Sequence, residues 1–353
     1  MMFRACALGL LVLGWAAAAG AETVREQSSR SVELPGISTV IVQNSRGSIE
    51  LRPSPDGQLH LKALKTVKAS SASVARRLAG ETQVELHREG GRYKIRVRYP
   101  QGTSVHVNLW EGFNENTVPR SEMLLAVQVP SGVAVELNAA SADLGSAGVS
   151  NSQRLETASG DIVVESPGGP VTIETASGDI HVSGGRKLEV QSVSGDVRIQ
   201  DVTGFLSVGT TSGDVRVDGA GDSIRIETVS GDIVVERAPR GAWVSTASGE
   251  IELNHVAGRL FAESVSADIR ATLAAPVRET RIESSSGDVK LGLASNAACL
   301  VEMRTSSGEL QVDVPSQTRN VSRRKVTAVV RGGTTPVTIE TVSGSILVTR
   351  GEP

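Results

Sequence analysis

ETASGDIVVESPGGPVTIETASGDIHV, residues 156–182, contains the phrase ETASGDI twice, eighteen residues apart. A catalytic site is built once in a chain, so a phrase that recurs at fixed spacing points to architecture. The first serine of each related phrase serves as a marker. The markers are Ser141, Ser159, Ser177, Ser194, Ser212, Ser230, Ser248, Ser266, Ser286, Ser307 and Ser343. Successive steps are 18, 18, 17, 18, 18, 18, 18, 20, 21 and 36 residues. The last step equals two periods and predicts a degenerate coil near 315–335. A short fixed period is the signature of a repeat architecture in which each unit buries its apolar face against its neighbours.

Inside each period the residues alternate. Ile162 and Val164 follow one SGD phrase, and Val171 and Ile173 precede the next. The same positions hold Val197 and Ile199, Leu206 and Val208, Val215 and Val217, then Ile224 and Ile226. Alternation of period two marks strands with one buried face, here two per coil. The SGD phrase separates them at one end. Its Gly admits a positive φ, and its Asp is expected to bond backbone N–H groups within the turn. The expected fold is all-β, a parallel β-solenoid of about 18-residue coils. The crossover rule for parallel strands makes it a right-handed β-helix. A propeller needs about 40 residues and four strands per blade, which does not fit. A left-handed triangular coil needs aliphatics every six residues, and stepping by six from Leu155 meets Asp161 and Pro167.

Two residues before the markers stand Thr157, Thr175, Ser192, Thr210, Thr228, Thr246, Ser264, Ser284, Thr305 and Thr341. Stacked coils would align them in a hydroxyl column, with the hydroxyls bonding one another. Composition agrees with a repeat: aromatics are only 3 % of 353 residues, against 37 glycines, so Val, Ile, Leu and Ala must fill the core. Charge is nearly balanced, with 36 basic and 39 acidic residues, which excludes a strong field for nucleic acid.

Residues 1–21 read as a signal peptide: Arg4, an apolar run from Ala5 to Ala19, and small residues before a cut after Ala21. Cys6 leaves with it, so the mature chain keeps only Cys299 and forms no intrachain disulfide. No other stretch is long and apolar enough to span a membrane, and the expected location is the periplasm, cell envelope or exterior. Residues 22–140 lack the regular phrase and are expected to form a β-rich cap with one short helix, continuous with the solenoid over 141–349. Within the cap, VIVQNSRGSIELRP (40–53) resembles one coil, with Gly47, Ser48 and Ile49 in the SGD place. TVKASSASVARRLAGET (66–82) carries the helix-forming residues, and the sequence around Gly90 and Gly91 reads as a hairpin. Trp110 and Phe113 are rare large aromatics between two expected strands.

The run of SGDI phrases at 159, 177 and 230, and SGDV at 194, 212 and 286, following VPSGVAVELNAASADL, resembles the bacterial "putative adhesin" family of β-strand-repeat envelope proteins. The resemblance covers roughly residues 35–349. It implies an exported or envelope β-helical protein whose domain has no assigned function, and it brings no catalytic residues. SADL at 141, SADI at 266 and SGSI at 343 depart from the phrase, and less regular turns are expected there.

The polar chemistry concentrates in the acidic column Asp161, Asp179, Asp196, Asp214, Asp232, Glu250, Asp268, Asp288 and Glu309. Unit charges one coil apart repel by about 0.9 kcal/mol even in water. Turn hydrogen bonds relieve that; so would a Ca²⁺ ladder on Asp161, Asp179, Asp196, Asp214 and Asp232, which makes a Ca-dependent binding module one alternative. A β-helical polysaccharide-cleaving enzyme is another, but it needs a carboxylate cluster outside the repeat. Glu165, Glu174 and Glu227 read instead as outward strand residues. His60, His87, His106, His181 and His255 show no metal-ligand spacing, and no GxSxG elbow is present. Cys299 reads as a small buried filler, and Arg323, Arg324 and Lys325 as a solvated basic loop. The sequence thus supports a non-enzymatic binding or structural protein, without cofactor, whose partner is an unnamed envelope polymer or protein.

Overall fold

The computed structural model describes residues 9–12, 16–18, 21–100 and 119–351. Arg4, Cys6, His106, Trp110 and Phe113 lie outside them. Two compact units divide the chain, residues 1–169 and 170–353. Both are almost wholly strand, joined mainly in parallel.

In the second unit, alternation builds the core. From Val171 to Ser266 each first strand of a coil buries two aliphatics and a Ser or Thr, and each second strand buries two more aliphatics, whereas the last second strand, Leu310–Val312, is only half-buried. Parallel register places Ile173, Val190, Val208, Ile226 and Val244 in one column. A second column runs Ile180, Val197, Val215, Ile233, Ile251 and Ile269. All of these side chains are buried. No coil has a core of its own: each one's apolar face and strand edges are completed by its neighbours, about 4.8 Å away.

Glycine in the SGD phrase is required by this stacking. Gly195 has φ 129°, and a Cβ built on it would overlap the carbonyl oxygen of Gly178 in the preceding coil. The expected irregularity at SADI and SGSI does not extend to register. Ser266 still aligns with Ser248 and Ser286, and Ser343 aligns with Ser286 and Ser307.

That last alignment corrects the sequence-based order of coils. The coil containing Ser343 lies between those of Ser286 and Ser307, because Pro336–Ser343 pairs in parallel with both Ile269–Ser286 and Cys299–Ser307. Its second strand, Ile346–Arg350, likewise lies between Val289–Leu293 and Leu310–Val312. The degenerate coil expected near 315–335 is instead a hairpin. Ser316–Val321 and Lys325–Val330 pair antiparallel, and Lys325–Val330 also runs antiparallel to Cys299–Ser307. The chain therefore leaves one coil position open, builds the coil beyond it, covers that coil's edge with a reversed strand, and returns to fill the gap. An antiparallel cover ends the parallel stack without leaving that long strand edge exposed.

The first unit starts its stack earlier than the regular phrase does. Thr39–Pro53 pairs in parallel with Ala134–Ala147, aligning Arg46, Gly47, Ser48 and Ile49 with Ser141, Ala142, Asp143 and Leu144. Residues 40–53 thus form a coil, with Gly47 at φ 102° in the turn. Its other edge receives Arg92–Arg98 and Arg120–Val129. Beyond these the pairing turns antiparallel: Gln83–Glu89 on Arg92–Arg98, Leu59–Ala69 on Arg120–Val129, and Ala21–Val32 on Leu59–Ala69. Gly9–Val12 and Ala16–Ala18 pair antiparallel with Ala21–Val32. The helix Ala72–Glu81 starts at Ser71, whose hydroxyl accepts from Val74 N–H. It packs Ala75, Leu78 and Ala79 on Val67 and Ala69.

Candidate functional site

The acidic column is a ladder between coils, a role different from the local turn bond expected of it. Asp179 Oδ1 accepts the backbone N–H of Asp196 (3.0 Å), and Asp196 Oδ1 that of Asp214 (3.2 Å). The series continues through Asp232 N–H on Asp214 (2.9 Å) and Glu250 N–H on Asp232 (2.8 Å). Asp288 N–H donates to Asp268, and Ser345 N–H to Asp288 (2.7 Å). In the first unit Asp161 N–H donates to Asp143 Oδ1 (3.0 Å). Each of these aspartates thus faces an N–H dipole of a neighbouring coil, which offsets the repulsion along the column, while Glu250 pairs with Arg270. Ser345, the serine of SGSI, keeps the ladder going: its hydroxyl accepts Glu309 N–H at 3.3 Å. Among the described residues no group of three or more His, Cys, Asp or Glu is arranged to hold a metal ion.

The Ser and Thr residues at these ten positions are all buried, but their bonds differ from expectation. Thr175 and Thr246 donate to the carbonyls of Ser177 (3.2 Å) and Ser248 (3.1 Å), and Thr305 to that of Gly344 (3.0 Å). The hydroxyls of Ser192, Thr210, Thr228 and Ser264 have no hydrogen-bond partner among the described residues. Coil spacing, about 4.8 Å, exceeds hydroxyl hydrogen-bond reach, so an in-register hydroxyl ladder cannot close.

Of the described histidines, His60 has partners that the sequence did not disclose. Ser31 pairs in register with His60, and its hydroxyl lies 2.8 Å from His60 Nδ1. His60 Nε2 lies 2.7 Å from Asp56 Oδ1. The backbone N–H of Gln58, with His60 beside it, holds the Asp56 carboxyl at about 2, below the usual carboxylate range. A Ser–His–Asp chain needs more than these contacts to cleave a bond: it needs oxyanion donors and room for a substrate. Ser31 and His60 sit on paired antiparallel strands, whose N–H groups belong to the ladder. The cavity beside His60 is about 80 Å³. That is far below the roughly 300 Å³ of a small-molecule pocket. Elsewhere, His87 meets Glu85 at 3.5 Å, His181 lies on Ile180–Ser183, and His255 lies within Ile251–Ser266 at φ 54°. Cys299 is buried, and burial pushes its thiol up to about 11, away from nucleophilic use. Arg323 and Arg324 are exposed at the tip of the terminal hairpin, and Lys325 Nζ lies 3.9 Å from Glu302.

Sequence reasoning missed the outward face of the second unit. Arg225, Trp243, Phe261 and Arg281 align across four neighbouring strands. Glu227, Ser245, Glu263 and Glu283 align beside them. The Arg225 guanidinium sits 4.1 Å from the Trp243 ring centroid while bonding Glu227 through Nε (2.7 Å). Arg281 bonds Glu283 in the same way. The available signal was the appearance of Trp243 and Phe261 at an outward position that holds Thr172, Glu189, Ser207 and Arg225 in earlier coils.

No curated protein matches this chain. Solved structures of similar trace include a "putative adhesin" from Parabacteroides distasonis, 15 % identical, covering 75 % of this chain and 96 % of that one, TM-score 0.36. A "putative lipid binding protein" from the same species is 14 % identical, with 92 % and 97 % covered and TM-score 0.32. A "putative adhesin" from Bacteroides fragilis is 11 % identical, with 91 % and 96 % covered and TM-score 0.26. A family model matches residues 24–242 and again 240–349, so the chain belongs to the Toastrack DUF4097 family.

Proposed function

We propose that the protein is an exported, non-enzymatic β-solenoid, coiled right-handed, with an adhesin-like binding or structural role at the cell envelope. Residues 1–21 are its leader. The partner is an extended envelope polymer or a protein surface, and no cofactor takes part.

The observation that carries this reading is the outward position of Trp243 and Phe261. Both stand among alternate residues that face away from the aliphatic core. The buried columns of the second unit contain no aromatic among the described residues, so the fold does not need these rings. Aromatic side chains displayed with Arg on a sheet face are the usual anchors of protein contact surfaces. In-register repetition also suits a partner that is itself extended.

Cell fractionation with N-terminal sequencing of the purified protein tests export: the mature chain should begin at Glu22 and leave the cytosol. Saturable retention of the mature protein on isolated envelope material, weakened by Trp243→Ala without loss of melting temperature, tests binding. A full-length cytosolic protein would reject the export reading. Undiminished retention of Trp243→Ala would remove this face from it.

A further inference from the structure

A second surface, in the first unit, carries a more specific chemistry. Arg92–Arg98 reads RYKIRVR: Tyr93, Ile95 and Val97 are buried, and the alternate positions are all basic. Arg96 aligns with Gln43, and Gln43 with Asn138, across three neighbouring strands. Above this row lies an open cavity of about 490 Å³ bordered by Arg46, Arg96, Arg98 and Tyr99. Its described lining contains no carboxylate.

Arg46 is held there by a built corner. Asn44 is buried, and its Nδ2 donates to Met123 O at 2.7 Å. Tyr99 Oη lies 2.6 Å from Asn44 Oδ1 and 2.7 Å from Arg46 O, its one hydrogen shared between them. The Arg46 guanidinium lies 5.7 Å from the Tyr99 ring centroid. At Gly47 the chain turns with positive φ, where a Cβ would overlap Met123 O. Together these contacts fix the backbone that presents Arg46.

Glu85 approaches the cluster from the other side. It is the cross-strand neighbour of Arg96 and lies 3.5 Å from Arg98, and it also meets His87. Glu122 lies close enough to act on the Tyr99 hydroxyl, so among the described residues two carboxylates stand against three guanidiniums, and the rim stays net cationic in a chain whose overall charge is −3. Guanidinium forks match carboxylate and phosphate groups in a two-bond geometry. The amides of Gln43 and Asn138 supply neutral donors and acceptors suited to hydroxyls. Val97, Ala139 and Ala140 are the only apolar residues of the described lining, so nothing here is built to enter a bilayer.

We propose that this cavity binds an acidic polysaccharide. Arg46, Arg96 and Arg98 engage its carboxylate or phosphate groups, and Gln43 and Asn138 engage the neighbouring sugar hydroxyls. The proposal rests on the envelope-binding reading and names the chemistry of what is bound.

The test is titration of the mature protein at low salt with oligogalacturonate, phosphorylated dextran and plain dextran. An acidic oligosaccharide should bind and plain dextran should not, and added salt should weaken the binding. Arg96→Gln/Arg98→Gln should weaken it at least about tenfold at unchanged melting temperature, a difference of about 1.4 kcal/mol. Arg46→Gln, which breaks none of the ion pairs described for this face, should weaken it without touching the Glu85 contacts. Equal binding by the variants, preference for plain dextran, or no binding of either acidic probe overturns the proposal. Binding to phosphatidylglycerol vesicles without binding to acidic oligosaccharides also overturns it. Retention on envelope material that survives all three Arg substitutions rejects this site while leaving the broader envelope reading intact.

Discussion

The backbone N–H of Asp214 donates to the side-chain oxygen of Asp196, which belongs to the coil before it. The aspartate that the repeat preserves is therefore a link between coils. It explains why an exposed row of like charges is tolerated: Asp179, Asp196, Asp214, Asp232, Asp268 and Asp288 each accept a backbone donor that the turn leaves free of the strand ladder.

Asp232 tests that role, since its Oδ1 accepts Glu250 N–H at 2.8 Å. Asp232→Ala should destabilise by about 1 kcal/mol, the usual net value of one hydrogen bond. Asp232→Asn keeps an acceptor and removes repulsion from Asp214 and Glu250, so it should match or exceed the parent. Urea midpoints of the three proteins decide. EDTA should leave the parent's melting temperature unchanged, whereas a drop would restore the Ca²⁺ ladder.

The unpartnered hydroxyls of Thr210 and Thr228 predict a stabilising substitution. Thr228→Val keeps shape and β-branching while removing a buried polar atom that costs about 1–3 kcal/mol to leave unbonded. Thermal melting should rise for Thr228→Val. Thr246→Val, which forfeits the bond to Ser248 O, should gain less or lose.

Gly213→Ala should be among the most damaging single changes. The residue has φ 144°, and a Cβ would overlap the carbonyl oxygen of Gly195. Relief requires two coils to part, so a loss above about 2 kcal/mol is expected, at the upper end for point substitutions. Limited proteolysis should locate the new cleavage near residues 195–213.

Cys299 predicts a pH effect with a definite sign. Burial raises its thiol to about 11, so above the ordinary thiol value the folded chain holds a proton that the unfolded chain has released. Stability from this site is complete below that value and declines as pH rises toward 11. The parent should therefore lose more stability between pH 8 and pH 10 than Cys299→Ala does. At pH 8 the parent thiol should stay unreactive to Ellman's reagent until the protein is unfolded.

A non-catalytic Ser31 is also checkable. A fluorophosphonate probe should leave the folded protein unlabelled, and labelling lost in Ser31→Ala would instead make the Ser31–His60–Asp56 chain an active site.

The repeat was legible in the sequence because stacking multiplies one local rule. Period-two alternation placed Ile180 and Val197 in the core, and the marker serines set the register that aligns them. The coil at 40–53 was also legible, through Gly47, Ser48 and Ile49 in the place of the SGD phrase. Coil order at the C-terminal end was not, because alternation records which face is buried and carries no label for the neighbour. Pro336–Ser343 fits beside either Ile269–Ser286 or Cys299–Ser307, and in the structure it pairs with both. The arginine cavity was hidden for a related reason. RYKIRVR shows a basic outward face, yet only the parallel pairing of Arg96 with Gln43 brings it to Arg46, about fifty residues earlier in the chain.

The inserted coil is the most exposed claim about the stacking, and disulfide trapping tests it directly. In a Cys299→Ala background, cysteines replace Arg281, Thr338 and Glu302 in pairs. Arg281 aligns with Thr338, and Thr338 with Glu302. Neighbouring coils, about 4.8 Å apart, permit a disulfide, whereas positions two coils apart exceed the roughly 7 Å limit. Oxidation should join 281 to 338 and 302 to 338, and leave 281 and 302 free. A 281–302 disulfide formed in good yield would mean that the coils follow chain order, and would contradict the account.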